Sequence, residues 1–359
     1  MNFFKVGINF DFSLIPLFKE LNEKYEGKGK IIEVYGSDRA HASLAARPDF
    51  RLPDVSSENI KKYVRELKEL GIMFNYTMNS IFPYGSKKEL LEHKQEVINF
   101  VKWLEDIGVY RITVANPIML EIIRNEAKSN IKIEMSTIAH IDTVTQIKYY
   151  KDKYNVDKIC GNLLKNRDFD FLRAASSYCA KEGVIYEVMA NEFCGVGGDN
   201  YATHCIYRDS CYICHASNKT LDDANSFNEY PMKLCSNSRN QSPANWLKLR
   251  WVRPEDLRFY NDIGIHHFKI TGRTGSTQYI KQTIEAYMSE EFDGNLLNLW
   301  KPLESIKGAS EFDTYYNIHN KSLDGFIKVW TSSSPKKCEN EVCGETCHYC
   351  ENFYERNVK

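Results

Sequence analysis

Eight short runs rich in β-branched and aromatic residues alternate along this chain with longer amphipathic stretches. That rhythm leaves few architectures open. The strand candidates are Lys5–Phe10, Lys30–Tyr35, Met73–Met78, Arg111–Ala115, Lys132–Ser136, Lys158–Gly161, Ile185–Ala190 and His267–Thr271. Helices are expected over Phe12–Tyr25, Ser57–Leu70, Lys87–Ile107, Ile118–Ala127, Asp142–Tyr154, Phe169–Lys181, Pro254–Ile263 and Ser276–Ser289. A doubly wound open sheet is the alternative to a closed (β/α)8 barrel of the TIM type. The barrel is favoured because the count reaches eight and no Gly-rich dinucleotide fingerprint follows the first strand. Gly195-Val-Gly197-Gly198 comes after a late strand and a cysteine, and reads as loop.

Local chemistry supports several boundaries. Ser56-Ser57-Glu58 supplies hydroxyl caps and an early acid, and Gly71 suits a helix end. Pro254-Glu255-Asp256 fits a first turn, where proline lacks no needed donor and acids complement the dipole. The barrel with its insertion is expected over 1–300, and a C-terminal extension over 301–359.

With 359 residues, 43% hydrophobic and 26% charged, the chain can bury a large core. A net charge of −1 argues against a strongly basic nucleic-acid protein. No signal peptide or membrane-spanning run is evident, so a cytosolic protein is expected. Eleven cysteines in that compartment point to metal ligands or reactive thiols rather than disulfides. Cys160 and Cys179 stand apart and read as buried small hydrophobes.

One connection breaks the rhythm. About sixty residues separate the seventh strand from its helix, and they hold Cys194, Cys205, Cys211, Cys214 and Cys235 within 191–252. Grouped thiolates are soft ligands for a 4Fe–4S cluster or zinc. Only Cys211 and Cys214 form a close pair, and this irregular spacing leans towards a cluster. Five candidates exceed the four ligands needed.

A second group closes the chain. Cys338, Cys343, Cys347 and Cys350 lie within thirteen residues, 338–350. The spacing of the last three matches a radical S-adenosylmethionine motif, but such a motif belongs near the start of a barrel. A zinc knuckle or a second 4Fe–4S cluster is the better expectation, because so short a segment has little core of its own.

Lys269 and Arg273 fall at the end of the eighth strand, where a barrel opens its active site. They could hold a carboxylate or phosphate. Asn191-Glu192, Asn79, Asn116 and Ser136-Thr137 end other strands and are candidates to line a pocket. Glu192 joins Lys269 and Arg273 as a catalytic candidate. Arg208, Arg250 and Arg253, beside the cysteines, read singly as solvated surface. There is no H-E-x-x-H for a metalloprotease and no G-x-S-x-G elbow.

Asn191-Glu192-x-Cys194, then Cys205-x-x-Arg208 and the distal Cys235, resembles the cysteine block of the U32 collagenase-like peptidase family. Arg253-Pro254-Glu255-Asp256-Leu257 and Phe268-Lys269-Ile270-Thr271-Gly272-Arg273 resemble a family helix start and strand end. Tyr287 with Asp293-Gly-Asn-Leu296, Tyr35-Gly36-Ser37 and Phe74–Asn79 are similar to further blocks. The resemblance implies a TIM-like barrel and a 4Fe–4S cluster held by Cys194, Cys205, Cys235 and either Cys211 or Cys214. It implies oxygen-independent hydroxylation of an RNA base or a cofactor precursor, with an electron-transfer or other protein partner. The family's peptidase label gives the alternative of peptide hydrolysis. A zinc-stabilised binding protein without catalysis is a third reading.

Overall fold

The computed structural model describes residues 1–192, 194, 239, 241–273, 275–300, 316–332 and 337–358. Eight parallel strands close into a barrel in sequence order. They are β1 (Asn2–Gly7), β2 (Gly29–Gly36), β3 (Met73–Met78), β4 (Arg111–Val114), β5 (Lys132–Met135), β6 (Lys158–Cys160), β7 (Ile185–Met189) and β8 (His267–Ile270). The ring closes where β1 pairs with β8, Lys5 opposite Lys269. The expected (β/α)8 barrel is the observed fold.

The helices are α1 (Leu14–Lys24), α2 (Ser57–Glu69), α3 (Lys87–Glu92), α4 (Lys94–Asp106), α5 (Pro117–Glu121), α6 (Val144–Tyr154), α7 (Phe169–Lys181), α8 (Ala244–Leu247), α9 (Leu257–Asn261), α10 (Thr277–Ser289), α11 (Lys328–Thr331), α12 (Lys337–Asn340) and α13 (Tyr349–Asn357). Ser56 caps α2 by accepting from Asn59 N, and Gly71 follows it with φ +68°. Three expected helices are interrupted. Lys87–Ile107 splits at His93, whose ψ of 10° leaves the helical region. Ile118–Ala127 begins as α5 and continues as a π-turn over Ile122–Glu126. Pro254–Ile263 opens with a 3-10 turn over Pro254–Asp256 before α9. Apolar periodicity runs through these breaks because each short piece still turns one face to the barrel.

The outward strand faces carry Phe4, Val6, Val34, Phe74, Ile112, Val114, Ile133, Ile159, Val188 and Phe268, all buried under the helices. The lumen differs from the branched apolar packing usual in such barrels. Lys5 of β1 pairs with Glu134 of β5 and with Glu187 of β7 at 2.7 Å. Lys158 of β6 pairs with Glu187, and with Glu33 of β2 at 3.1 Å. Arg111 bonds Glu33 at 2.6 Å and Asp157 at 2.7 Å. Asn75 donates to Glu33 at 2.7 Å and to Glu134 at 3.0 Å, and accepts from Thr113 at 2.7 Å. β1 and β5 are not neighbours, so these contacts cross the lumen.

Burial alone would raise a carboxyl pKa. Here burial is overcome by the cations: Lys158 and Arg111 hold the Glu33 carboxyl below its usual range, and Lys158 and Lys5 do so for Glu187. At the lower end, burial pulls the His267 imidazole down to about 3, with Lys158 adding to it. His267 is therefore neutral.

Two outcomes follow for stability. Lys5→Met leaves the buried Glu134 and Glu187 carboxylates with Lys158 as their shared ion-pair partner, and should lower the unfolding free energy in urea titrations by about 3–5 kcal/mol. For pH, both depressed carboxyls stabilise fully above their unfolded pKa and lose that contribution as pH falls through the folded one. His267, also depressed, costs stability from its unfolded pKa near 6.5 downwards. Urea titrations from pH 8 to 4 should therefore show a decline beginning near 6.5, and His267→Gln should remove that upper part of it.

Candidate active site at the C-terminal mouth

The strand ends converge on one face, where β1, β2 and β8 bring cations together. Lys269, 4% exposed, stands with its ammonium 4.3 Å from the centre of the Tyr35 ring, and Lys5 lies 5.4 Å from the same centre. Burial, with Lys5 next to it, pulls the Lys269 pKa down. Arg273 donates to Ser37 Oγ at 3.0 Å. Burial and the nearby Arg47 bring its pKa down to about 10. Arg47, half-buried, donates to the Ala46 carbonyl at 2.9 Å; partial burial lowers the pKa of Arg51, and Arg47 adds to that. Lys269, Arg273, Arg47 and Arg51 form no ion pair with a carboxylate among the described residues, whereas Lys5 is paired with Glu134 and Glu187. Such a group is built to accept an anion, arginine by its planar fork and lysine as a point charge.

Beside it, sequence reasoning missed a carboxylate–imidazole pair. Asp38 accepts from His41 Nδ1 at 2.9 Å and from the Tyr76 hydroxyl. The His41 ring stacks on Phe100, with centroids 3.6 Å apart. Asp38 follows Ser37, so the pair adjoins Arg273. The signal that could have found it is Asp38-x-x-His41 directly after a strand end.

Other strand-end residues serve the scaffold. Asn191 accepts from Thr271 N at 2.6 Å and donates to Leu299 O at 2.9 Å, tying β7 to β8. Asn116 caps α5. Thr137 accepts from Leu163 N. Asn79 accepts from Ala46 N at 3.2 Å and so holds the segment carrying Arg47. Glu192 is half-buried; burial raises the Tyr279 phenol pKa, and the Glu192 charge adds to the rise.

Arg250 and Arg253 are each 2% exposed, which corrects the expectation of solvated surface. Arg253 bonds Asp256, Asp324 and the Asn320 carbonyl, fastening 316–332 to the barrel. Arg250 donates to Cys338 Sγ at 3.4 Å.

Of the insertion cysteines, Cys194 is described and exposed. Cys205, Cys211, Cys214 and Cys235, with Arg208, lie outside the described residues. In the tail, Cys343 and Cys350 are buried, and Cys338 and Cys347 half-buried. Cys160 is buried as expected, but in a polar place. Burial, opposed by Lys269, leaves its thiol pushed up to about 11. Glu134, Cys160 and Glu187 bring ligand atoms within 4.8 Å of one another. Lys5 and Lys158 already neutralise both carboxylates, so a divalent ion there would unbalance a charge-matched interior. No helix among the described residues is long and apolar enough to cross a membrane.

No family model matches the chain. The protein named "uncharacterized protease MJ1657" from Methanocaldococcus jannaschii is 25% identical over 96% of this chain and 90% of its own length. The resemblance read from the motifs is to a peptidase family, in keeping with that protease name. Among solved structures, the U32 peptidase Mk0906 aligns over 75% of this chain and 91% of its own, at 12% identity and a TM-score of 0.46. An enolase protein from Sargasso Sea environmental sequencing covers 57% of this chain and 51% of its own, at 11% identity and 0.33.

Gly7 tests the geometry of the mouth. A Cβ there would sit 3.0 Å from both Arg273 N and the Tyr35 hydroxyl, so one of them must move. Gly7→Ala should cost about 1–3 kcal/mol as overpacking. In thermal melts added inorganic phosphate should stabilise the wild type, and Gly7→Ala should remove most of that stabilisation.

Proposed function

We propose that this chain is an enzyme that binds a carboxylate- or phosphate-bearing substrate at the C-terminal mouth of its barrel. In this reading the cysteine insertion holds a 4Fe–4S cluster, and the reaction is an oxygen-independent hydroxylation. The substrate class covers an RNA base, a cofactor precursor or a peptide; with water as the oxygen source the substrate loses two electrons and two protons, and an electron-accepting partner takes up the electrons. The observation that carries it is the Lys269–Arg273–Arg47 group, three cations that form no ion pair with a carboxylate among the described residues.

The donor set fits the cofactor: five soft thiols in one insertion, the first being Cys194 beyond β7. Cys194, Cys205, Cys235 and one of Cys211 and Cys214 would hold the cluster. When bound it supplies one-electron redox chemistry. The chain's own residues have separate tasks. Arg273 and Arg47 orient the anionic group of the substrate. Lys269, depressed by burial and by Lys5, can give up or take a proton at Nζ more readily than a surface lysine. The Asp38–His41 pair can move a second proton.

That same pair favours peptide hydrolysis as a second reading, in keeping with the protease name of the Methanocaldococcus relative. His41 would then act as general base towards water.

Protein purified without oxygen should carry about four irons and four sulfides lost on Cys194→Ala. Zinc in their place would sink the redox reading. Phosphate or a small dicarboxylate at 100 times its dissociation constant should stabilise the wild type by about 2.7 kcal/mol, and Arg273→Gln should abolish this. Peptide cleavage that persists without iron and disappears in His41→Ala would select hydrolysis instead.

A further inference from the structure

The largest unbalanced charge outside the mouth lies where the C-terminal tail meets the segments after β6 and β7. Arg167, after β6, is 4% exposed, and Arg250 is 2% exposed. Neither forms an ion pair with a carboxylate among the described residues. Arg250 Nε and Arg167 Nη2 are buried with no hydrogen-bond partner. Arg167 donates once, to the Leu247 carbonyl at 2.7 Å. Its guanidinium sits among Trp251, Phe326 and Trp330, 4.6–5.0 Å from the ring centres. Ring faces offer about 0.5–2 kcal/mol each, which falls short of the several kcal/mol needed to strip a cation of water. Two enclosed guanidiniums this close call for an anion.

The groups facing them are thiols. Cys338 Sγ accepts from Arg250 Nη1 at 3.4 Å and from Trp330 Nε1 at 3.2 Å. Cys343 and Cys350 of the same tail are buried. The tail is docked against this place. Tyr349 stacks on Phe326 at 5.5 Å and donates to its carbonyl at 2.7 Å. Lys248 pairs with Glu351 at 2.6 Å.

We propose that Cys338, Cys343, Cys347 and Cys350 hold one metal centre as an anionic tetrathiolate, with Arg250 and Arg167 as its counter-ions. Two N–H groups aimed at one sulfur, and two guanidiniums with unused donors, are the surroundings a metal-bound thiolate needs. The thiols stand apart here. Among the described residues the group with ligand atoms within 4.8 Å is Glu134, Cys160 and Glu187, and this wider spread of the tail sulfurs suits the ligands of a 4Fe–4S cluster better than those of a single zinc ion. The Cys343–Cys347 turn is compact: Gly344, at φ +81°, donates to the Cys347 carbonyl at 2.9 Å. The loaded centre would lock the tail against the segment that carries Lys248 and Arg250.

The test is zinc, iron and sulfide per full-length chain, purified without oxygen, in wild type, Cys194→Ser, Cys343→Ser/Cys350→Ser and Arg250→Met. The expected result is a metal centre that survives Cys194→Ser and is lost in the tail double variant. One zinc would identify a zinc tetrathiolate, and about four irons with four sulfides a cluster. Arg250→Met should load the same metal but bind it about tenfold more weakly in chelator competition. If the wild type holds no metal beyond what Cys194→Ser removes, the proposal falls, whether or not the tail variant folds. An unchanged metal content in the folded double variant overturns it as well. Unchanged affinity in Arg250→Met overturns the counter-ion role. A wild type that carries the tail metal but no iron removable by Cys194→Ser would count against the mouth reading alone and leave the tail centre standing.

Discussion

The lumen of this barrel is held by charge, and the rest of the structure depends on that charge being matched. Lys5 and Lys158 are shared among Glu33, Glu134 and Glu187, and Arg111 links Glu33 to Asp157. Pairs of this kind add little net stability, since attraction mainly repays desolvation. Their effect is to fix register. A slip of one residue in any strand would turn its charge into the apolar layer under the helices and bring a Val or Ile into the polar lumen.

The same matching defines the mouth. Glu33, Glu134, Glu187 and Asp157 face Lys5, Lys158 and Arg111, and one cation more, Lys269, stands at the upper edge of the network over Tyr35. Above it Arg273, Arg47 and Arg51 add positive charge with no carboxylate partner among the described residues. The potential therefore rises along the barrel axis, from a balanced interior to a cationic opening. An anion at that opening meets dry, pre-oriented donors, and its binding needs little reorganisation.

The strands were legible because their outward faces are Val, Ile and Phe at every second position. The same alternation held the lumen. Lys5, Glu33, Glu134, Lys158 and Glu187 sit mid-strand at inward positions, where charge would usually mean a solvated face. Once eight strands are taken as closed and covered, those charges must pair across the axis. Lys269 and Arg273 could be placed from their strand end. Arg47 and His41 could not, because the 39–52 segment has no periodicity and is fixed by single bonds such as Asn79 to Ala46 N. Arg250 and Arg253 looked solvated for a related reason: what covers them lies some seventy to a hundred residues further on in the chain, in Asn320, Asp324 and Cys338. Contacts so distant in sequence leave no local pattern.

The chain thus carries two groups of unmatched cations on one side of the barrel, and their surroundings separate their roles. The mouth group reaches the surface through half-buried Arg47 and exposed Arg51, so an anion can enter and leave. Arg167 and Arg250 are enclosed by Trp251, Phe326, Trp330 and the tail, and no diffusing ligand reaches them without moving α13. A site that exchanges its ligand needs the first kind of enclosure, whereas a permanent counter-ion needs the second. For the enclosed pair the anion must come from the chain itself, and the groups present there are the tail cysteines.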